Sequence, residues 1–526
     1  MATAGAIHQL VTRYVADERV PGLGYAITDA DRILEEGVVG VRDLASGARV
    51  DPDALFEIGS IGKAFTAIVV LQLADEGRLA VDDPVVRHLP WFRVPRTGAR
   101  ITIHDLLSHT AGITAGIDGT PEAAFQVHAL RRLPPGSARG RHFHYSNVGY
   151  KALGLVIEAV DGRPYPAAVR ARVLEPLGMA ATAPAVTNAI RDRLAVGHQT
   201  VPDDRIPHPG LPQIAVPWLE TDTADGSIAS TAGDMAAFAR LLIRGGRAGV
   251  LSPTAFQQMT TPHSAGPLGY GYGLMARAMH DRRWLGHGGG MVGYLAGLQI
   301  DQDAGVGAVV LQNGMSGNPV ALARRLVLAA TGDEPAARQP PPAGAPPLAG
   351  MYVRLDGEGP GPDAFEIVLH DDAAHVRVAG REARLDAYGE GAWLAPDDAL
   401  DHHLLAGGQA GEPWLWHGGA RYAIAGTMPR ALPEPEPRLR AYVGQYRSHN
   451  PWTTNFRVVL RGDRLRLTFA AAPDGFDDEQ PLFERRDGSF RVGTDRLGPE
   501  RVRFDTLVAG RALRAWLSGW DYYRTS

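Results

Sequence analysis

Apolar positions in residues 1 to about 332 alternate between two rhythms, a helical period near 3.6 and a strand period of two. The opening "MATAGAIHQLVTRYVADERV" has the pattern of a short amphipathic helix. "GLGYAITDADRILEEGVVGV" (22–41) places two β-rich runs around an Asp-Ala-Asp turn, the signature of a hairpin. From Ser60, "SIGKAFTAIVVLQLADEGRL" is apolar on nearly every side of a helix, through Phe65, Ile68, Val69 and Leu73, which puts that helix at the centre of a domain. "DMAAFARLLIRGG" (234–246) is an amphipathic helix closed by glycine. Two more β-rich runs, "YLAGLQID" and "VGAVVLQN", precede the helical "NPVALARRLVLAAT". Strands at both ends with helices between them predict one α/β domain whose sheet is assembled from distant parts of the chain.

The texture then changes. "EPAARQPPPAGAPP" (334–347) favours an extended, semi-rigid linker. Beyond it short alternating strands separated by Gly and Asp turns occur twice: "LAGMY…FEIVLHDDAAHVRV" (348–378) parallels "YVGQY…FRVVLRGDRLRLTF" (442–469), with a Pro-rich joint at 429–438 between the copies. The domains expected are 1–332, a linker at 333–347, and two small antiparallel β-barrels at 348–430 and 437–526.

Composition narrows the function classes. A chain of 526 residues with 45% hydrophobic and 21% charged residues is that of a globular protein too long for one core. A net charge of -5 with no basic stripe argues against nucleic acid as a partner. The absence of cysteine excludes disulfides, thiolate catalysis and cysteine-ligated zinc. No basic n-region leads into an apolar stretch at the start, and no segment approaches the ~18 uncharged apolar residues of a spanning helix, so the expectation is a soluble cytoplasmic protein without a membrane partner.

One charge stands out. The chain has 53 Lys plus Arg, yet only Lys63 and Lys151 are lysines. Lys63 lies in the apolar run "FEIGSIGKAF" (56–65). A phosphate-cradling loop is excluded here, since Glu57 stands where its first glycine belongs and Ala64 follows the lysine. A Gly-x-Ser-x-Gly elbow is excluded by Ile58. What remains is Ser60-x-x-Lys63 at a helix start. Residues three apart share a helix face, so the amine can reach the hydroxyl; burial and a helix N-terminus disfavour the ammonium, making the lysine a base that arginine could not replace. A capping serine followed by a snorkelling lysine is the bland reading, and the scarcity of lysine turns the balance toward chemistry. Metal candidates are poorer: "HFH" (142–144) and "DHH" (401–403) lack a third ligand nearby, and neither a metal nor another cofactor is expected.

Two further stretches complete a pattern. Tyr145-Ser146-Asn147 precedes a long apolar helix, and His287-Gly288-Gly289-Gly290 precedes a β-rich run. In this order, the three motifs resemble Ser-x-x-Lys, Tyr-x-Asn and Lys/His-x-Gly of the serine β-lactamase and penicillin-binding-protein superfamily, most closely the class C β-lactamase and D-aminopeptidase/esterase branch. The resemblance covers residues 18 to about 330 and includes blocks such as "ITIHDLLSHTAGI", "LEPLGM" and "DGSIASTAGDMAAFARLL". It implies Ser60 as nucleophile, Lys63 and Tyr145 as the base system, Asn147 as holder of the substrate amide, and His287 bonded to Tyr145 or to substrate. It also implies an oxyanion hole from the N–H groups of Ser60 and Gly290, with the glycines at 288–290, Gly289 among them, admitting a substrate strand.

A catalytic domain followed by two lipocalin-like β-barrels is similar to the plan of D-aminopeptidase, in which a loop of the third domain limits the substrate. The loop expected here is 470–483, whose Asp474, Asp477, Asp478 and Glu479 could bind a substrate ammonium; a solvated acidic turn is the alternative. The reading is a serine hydrolase forming an acyl-enzyme with small D-amino acid amides or short peptides, with room for a homodimer. Its alternatives are an esterase, an acyl transferase such as a penicillin-binding-protein-like peptide cyclase, and a non-catalytic binding member.

Overall fold

Gly22–Thr28 (β1) and Val306–Gln312 (β6) are buried at every position and lie side by side, although nearly the whole first region separates them in sequence. They are the second and third strands of a six-stranded antiparallel sheet in a computed structural model of the chain. The remaining strands are β2 (Ile33–Gly40), β3 (Met275–Met279), β4 (Arg282–Met291) and β5 (Tyr294–Asp301), in the order β2-β1-β6-β5-β4-β3. The structure describes residues 4–95, 100–116, 122–133, 140, 142–201, 211–247, 249–264, 269–279, 281–333, 348–356, 362–370, 373–389, 392–395, 404–407, 414–417, 420–427, 436–469 and 479–525.

These residues cluster into two units. One holds 1–200, 213–335 and 497–499; the other holds 201–212, 336–496 and 500–526. In the first, helices α1 (Ala4–Asp17) and α5 (Pro319–Thr331) bury Ile7, Val11, Leu322 and Leu326 against Tyr25, Ile27 and Val310 on one face of the sheet. On the other face, glycines at strand positions let helix α4 (Ala232–Ile243) settle close: a Cβ on Gly307 would already touch Ala239 and Ile243. Helix α2 (Gly62–Asp75) packs behind α4, with Phe65 stacked on Phe238 at 4.2 Å. Eleven of its residues are buried, as its unbroken apolar pattern predicts. Helix α3 (Asn147–Asp161) starts with Ser146 accepting from Gly149 N–H and ends at Gly162 in the left-handed conformation.

The sheet has one asymmetry that matters for the site. β3 pairs with β4 only as far as Gly286, so His287–Met291 runs on past its end, bonded on one side to β5 alone. The sequence places these glycines ahead of the β-rich run "YLAGLQID"; they lie inside a ten-residue strand of their own.

The second unit holds two antiparallel β structures. Eight strands from Gly444–Arg447 to Trp520–Arg524 close into a barrel through Tyr446↔Arg524 and Arg447↔Tyr523, around Phe456, Leu467, Phe490 and Tyr522. The preceding repeat forms a nine-stranded sheet whose two edge strands, Arg381–Arg384 and Asp386–Gly389, are separated in the chain by Leu385 alone. Its ends therefore meet covalently, and Phe365, Val376, Trp393 and Tyr422 fill its interior. Residues 334–347 lie outside the described residues.

Candidate active site

The site begins with an unusually close approach of two backbones. The chain pairs briefly at Phe56–Glu57 with Ala229–Ser230, then turns at Gly59, whose φ of 52° belongs to the left-handed region. A Cβ on Gly59 would lie 2.6 Å from the Gly290 nitrogen, and one on Gly289 would lie 1.9 Å from the Ile58 carbonyl oxygen. The turn carrying Ser60 therefore rests directly on β4. Gly289 is explained by that turn, because its bare α-carbon faces Ile58; Gly290 is exposed, and a Cβ on it would meet only Leu295, at 3.7 Å.

Ser60 sits half-buried in a 3-10 turn, Gly59–Ile61, and α2 begins two residues after it. The expectation of an α-helix from Ser60 onward is thus corrected, but the reach survives: Lys63 Nζ donates to Ser60 Oγ at 3.0 Å. Lys63 is wholly buried, and its second acceptor is the Asp225 main-chain carbonyl at 2.7 Å. A carbonyl can only accept, so it fixes one N–H of the amine away from the serine. Nζ also lies 4.9 Å from the centre of the Tyr145 ring and 5.7 Å from that of Tyr150. Among the described residues Lys63 forms no ion pair.

Tyr145 follows an extended segment that enters α3, where Asn147 is the first helical residue. The segment is held from below: Ser146 Oγ donates to Thr114 C=O at 2.7 Å, and Asn147 N–H to Ala115 C=O at 2.6 Å. Four residues on, Lys151 is also buried, donating to Gln126 Oε1 at 2.9 Å and lying 3.5 Å from an Asp225 carboxylate oxygen. Both lysines of the chain converge on Asp225, one at its carbonyl and one at its side chain.

His287 is placed on β4 near Tyr145, with ring centres 6.2 Å apart, but its bonds go elsewhere. Its Nδ1 is 2.5 Å from the Gly288 carbonyl, so Nδ1 carries the proton, and Nε2 accepts from the Tyr270 hydroxyl at 3.1 Å. Burial pushes its pKa down to about 4, so the ring is neutral at ordinary pH. Of the two partners expected for His287, Tyr145 or substrate, Tyr145 is not the one bonded; Nε2 is taken by Tyr270, a tyrosine that sequence reasoning did not single out. His109 was missed too: it is buried, its pKa pushed well down by desolvation, and its ring lies against Tyr145 at 4.4 Å.

Asp474, Asp477 and Asp478 lie outside the described residues, and Glu479 is engaged within the barrel, accepting from Arg461 Nε at 2.8 Å with the guanidinium almost fully buried. Its carboxylate is thus answered by Arg461 within the barrel. The candidate ligands Asp401, His402 and His403 also lie outside the described residues; His142 and His144 sit on an extended stretch without strand pairing. Among the described residues, one trio has metal-ligand spacing: His370, His375 and Glu382, within 4.8 Å of one another. Glu382 already accepts from Arg377 at 2.8 Å and lies 2.8 Å from His370, so its charge is satisfied without an ion. No described helix is long and apolar enough to cross a membrane.

Comparison with known proteins extends this geometry. Residues 7–333 match the Beta-lactamase family. Penicillin-binding protein 4 of Amycolatopsis lactamdurans is 30% identical over 380 residues, covering 65% of this chain and 95% of that protein. Protein flp of Staphylococcus aureus is 31% identical over 189 residues, 34% of this chain and only 38% of its own length. Among solved structures, a D-stereospecific amidohydrolase from Streptomyces sp. superposes with a TM-score of 0.52 at 29% identity, over 61% of this chain and 97% of its own. The octameric penicillin-binding protein homologue from Pyrococcus abyssi gives 0.61 at 21% identity, over 88% and 98%, a likeness of fold.

Proposed function

Since the chain belongs to the beta-lactamase family, within the serine β-lactamase and penicillin-binding-protein superfamily of serine hydrolases and acyl transferases, we propose that it hydrolyses small neutral amides with a D-configured acyl group through an ester on Ser60. The observation that carries the hydrolytic part is the 3.0 Å contact between Ser60 Oγ and a fully buried lysine amine. In the reaction proposed, Oγ attacks the acyl carbonyl and its proton passes to the Lys63 amine acting as base, which lies 3.0 Å from Oγ and is anchored on its other side by the Asp225 carbonyl. The carbonyl oxygen, negative in the tetrahedral intermediate, is received by the N–H groups of Ser60 and Gly290. Collapse expels the amine, which takes the proton from the Lys63–Tyr145 pair, and water then repeats the sequence on the ester. Asn147 would hold the substrate amide.

Two observations favour neutral amides. The third motif presents a neutral, internally bonded His287, so no fixed cation waits there for a substrate carboxylate. The Streptomyces relative is described as a D-stereospecific amidohydrolase. The test is turnover of D- and L-aminoacyl p-nitroanilides, p-nitrophenyl esters and nitrocefin by wild type and Ser60→Ala. D-anilide turnover that vanishes with Ser60 supports the reading; exclusive ester turnover would move it to an esterase, and turnover surviving Ser60→Ala would end the nucleophile assignment.

A further inference from the structure

His109 stands at the end of the short helix Ile103–Leu107, in the left-handed conformation with φ 57°. Glycine is the usual residue there, since a side chain costs roughly 1 kcal/mol in that region. A histidine is therefore an expensive way merely to stop a helix, and the contacts show what the conformation achieves. Its own carbonyl accepts from His144 N–H at 2.8 Å, and its ring Nδ1 accepts from Ser146 N–H at 3.0 Å. Those two donors are the residues immediately before and after Tyr145. The imidazole is 2% exposed, and its face lies against the Tyr145 ring at 4.4 Å and 35°.

We infer that His109 is a positioning residue for Tyr145, clamping the main chain on both sides of the phenol and backing its ring. Residues 142–146 have neither helix nor strand pairing of their own, so no regular ladder sets where Tyr145 points. The clamp requires Nδ1 to be unprotonated, which leaves the proton on Nε2. That nitrogen is buried and makes no hydrogen bond among the described residues, and Phe143, Tyr150 and Tyr270 surround the ring at 5.6, 5.1 and 4.8 Å. A histidine accepts that orphaned N–H in exchange for an acceptor at the right reach and a flat face. The inference rests on the reading of Tyr145 as part of the base system of Ser60.

The test is the rate at which an alkyl fluorophosphonate labels Ser60 in the full-length protein, measured below each variant's unfolding midpoint. His109→Gly keeps the left-handed backbone and loses both acceptor and ring; His109→Asn tolerates the same backbone and returns an acceptor at equal reach. Labelling should fall about 10- to 100-fold in His109→Gly, the scale of a misplaced catalytic group, and recover to within about fivefold of wild type in His109→Asn. In a Tyr145→Phe background, His109→Gly should slow labelling less than about threefold further, because its effect runs through the missing hydroxyl. Equal losses in both backgrounds, or a His109→Asn variant as slow as His109→Gly, would overturn the positioning role alone. A wild type that does not label at Ser60 would overturn both this role and the hydrolase reading.

Discussion

The chain's two lysines make a natural experiment. Each lies near the start of a helix, each is buried, and each contacts Asp225, yet they meet opposite kinds of partner. Lys151 faces the Asp225 carboxylate at 3.5 Å and the Gln126 carbonyl oxygen at 2.9 Å, so its positive charge is answered. Lys63 has the Asp225 main-chain carbonyl and the Ser60 hydroxyl, dipoles that solvate an amine without neutralising an ammonium. The remaining Asp225 carboxylate oxygen takes the Thr223 hydroxyl at 2.6 Å, so the side chain is held away from Lys63 on both oxygens. The same residue type is thus met once by a carboxylate and once by dipoles alone.

Replacing both lysines by methionine, which preserves shape and deletes the amine, should separate the two roles. Lys63→Met should lower Ser60 labelling and turnover by about 10³-fold, the scale of a lost general base, while the unfolding midpoint holds or rises because an unanswered buried amine has gone. Lys63→Arg should be nearly as inactive, since a guanidinium keeps its proton. Lys151→Met should do the reverse: breaking a buried pair costs about 3 to 5 kcal/mol of stability, and adding Asp225→Asn should recover much of it. The comparison breaks if Lys63→Met proves the more unstable protein, or if Lys151→Met proves the more inactive one once both are folded.

His287 sharpens the contrast from the side of a group kept neutral. Its folded pKa of about 4 lies below the ordinary histidine value of 6.5, so the unfolded chain binds the extra proton first. The stability this contributes is complete above pH 6.5 and is lost as the pH falls through about 4, by on the order of 3 kcal/mol for a shift of this size. Denaturant titrations between pH 7 and 4 should show a shallower decline for His287→Gln than for wild type. Parallel slopes would mean the ring accepts a proton without cost, and Tyr270 does not donate to it.

How far this was readable in the sequence depends on whether the contact is local. Ser60 and Lys63 are three residues apart, so one helical turn brings them together whatever the rest of the fold does, and the rarity of lysine marked the pair. The duplicated β patterns were equally plain, because alternation and turn residues are local signals. Lys151 carried the same rarity, but its meaning needed Asp225, which the fold brings from 74 positions further on. Tyr270 carried no local signal, and His109, although it lies in the block "ITIHDLLSHTAGI", was given no role by it: each acts through tertiary contact with Tyr145 or His287. That the glycines at 288–290 belong to a strand was not legible, since glycine ordinarily weakens one; at Gly289 the reason is tertiary, because the Ser60 turn lies against its backbone.

The barrel supplies another buried cation paired with a carboxylate, and with it the smallest of the expected effects. Arg461 is 4% exposed at its side chain, and both its Nε and one Nη donate to the same oxygen of Glu479, at 2.8 and 2.5 Å. Like Lys151 it has a carboxylate; unlike either lysine it cannot shed its proton, so it depends on that carboxylate at every pH. Glu479→Gln keeps an acceptor and removes the charge, which should cost about 1 to 2 kcal/mol, the difference between a charged and a neutral hydrogen-bond partner. The measurement is the denaturant midpoint of the full chain alongside its relative turnover of short and long substrates. A lower midpoint with unchanged substrate range places Glu479 with Lys151 and Asp225, as a counter-charge. A broadened range at an unchanged midpoint would make it a recognition residue, and the parallel between the Arg461–Glu479 and Lys151–Asp225 pairs would fail.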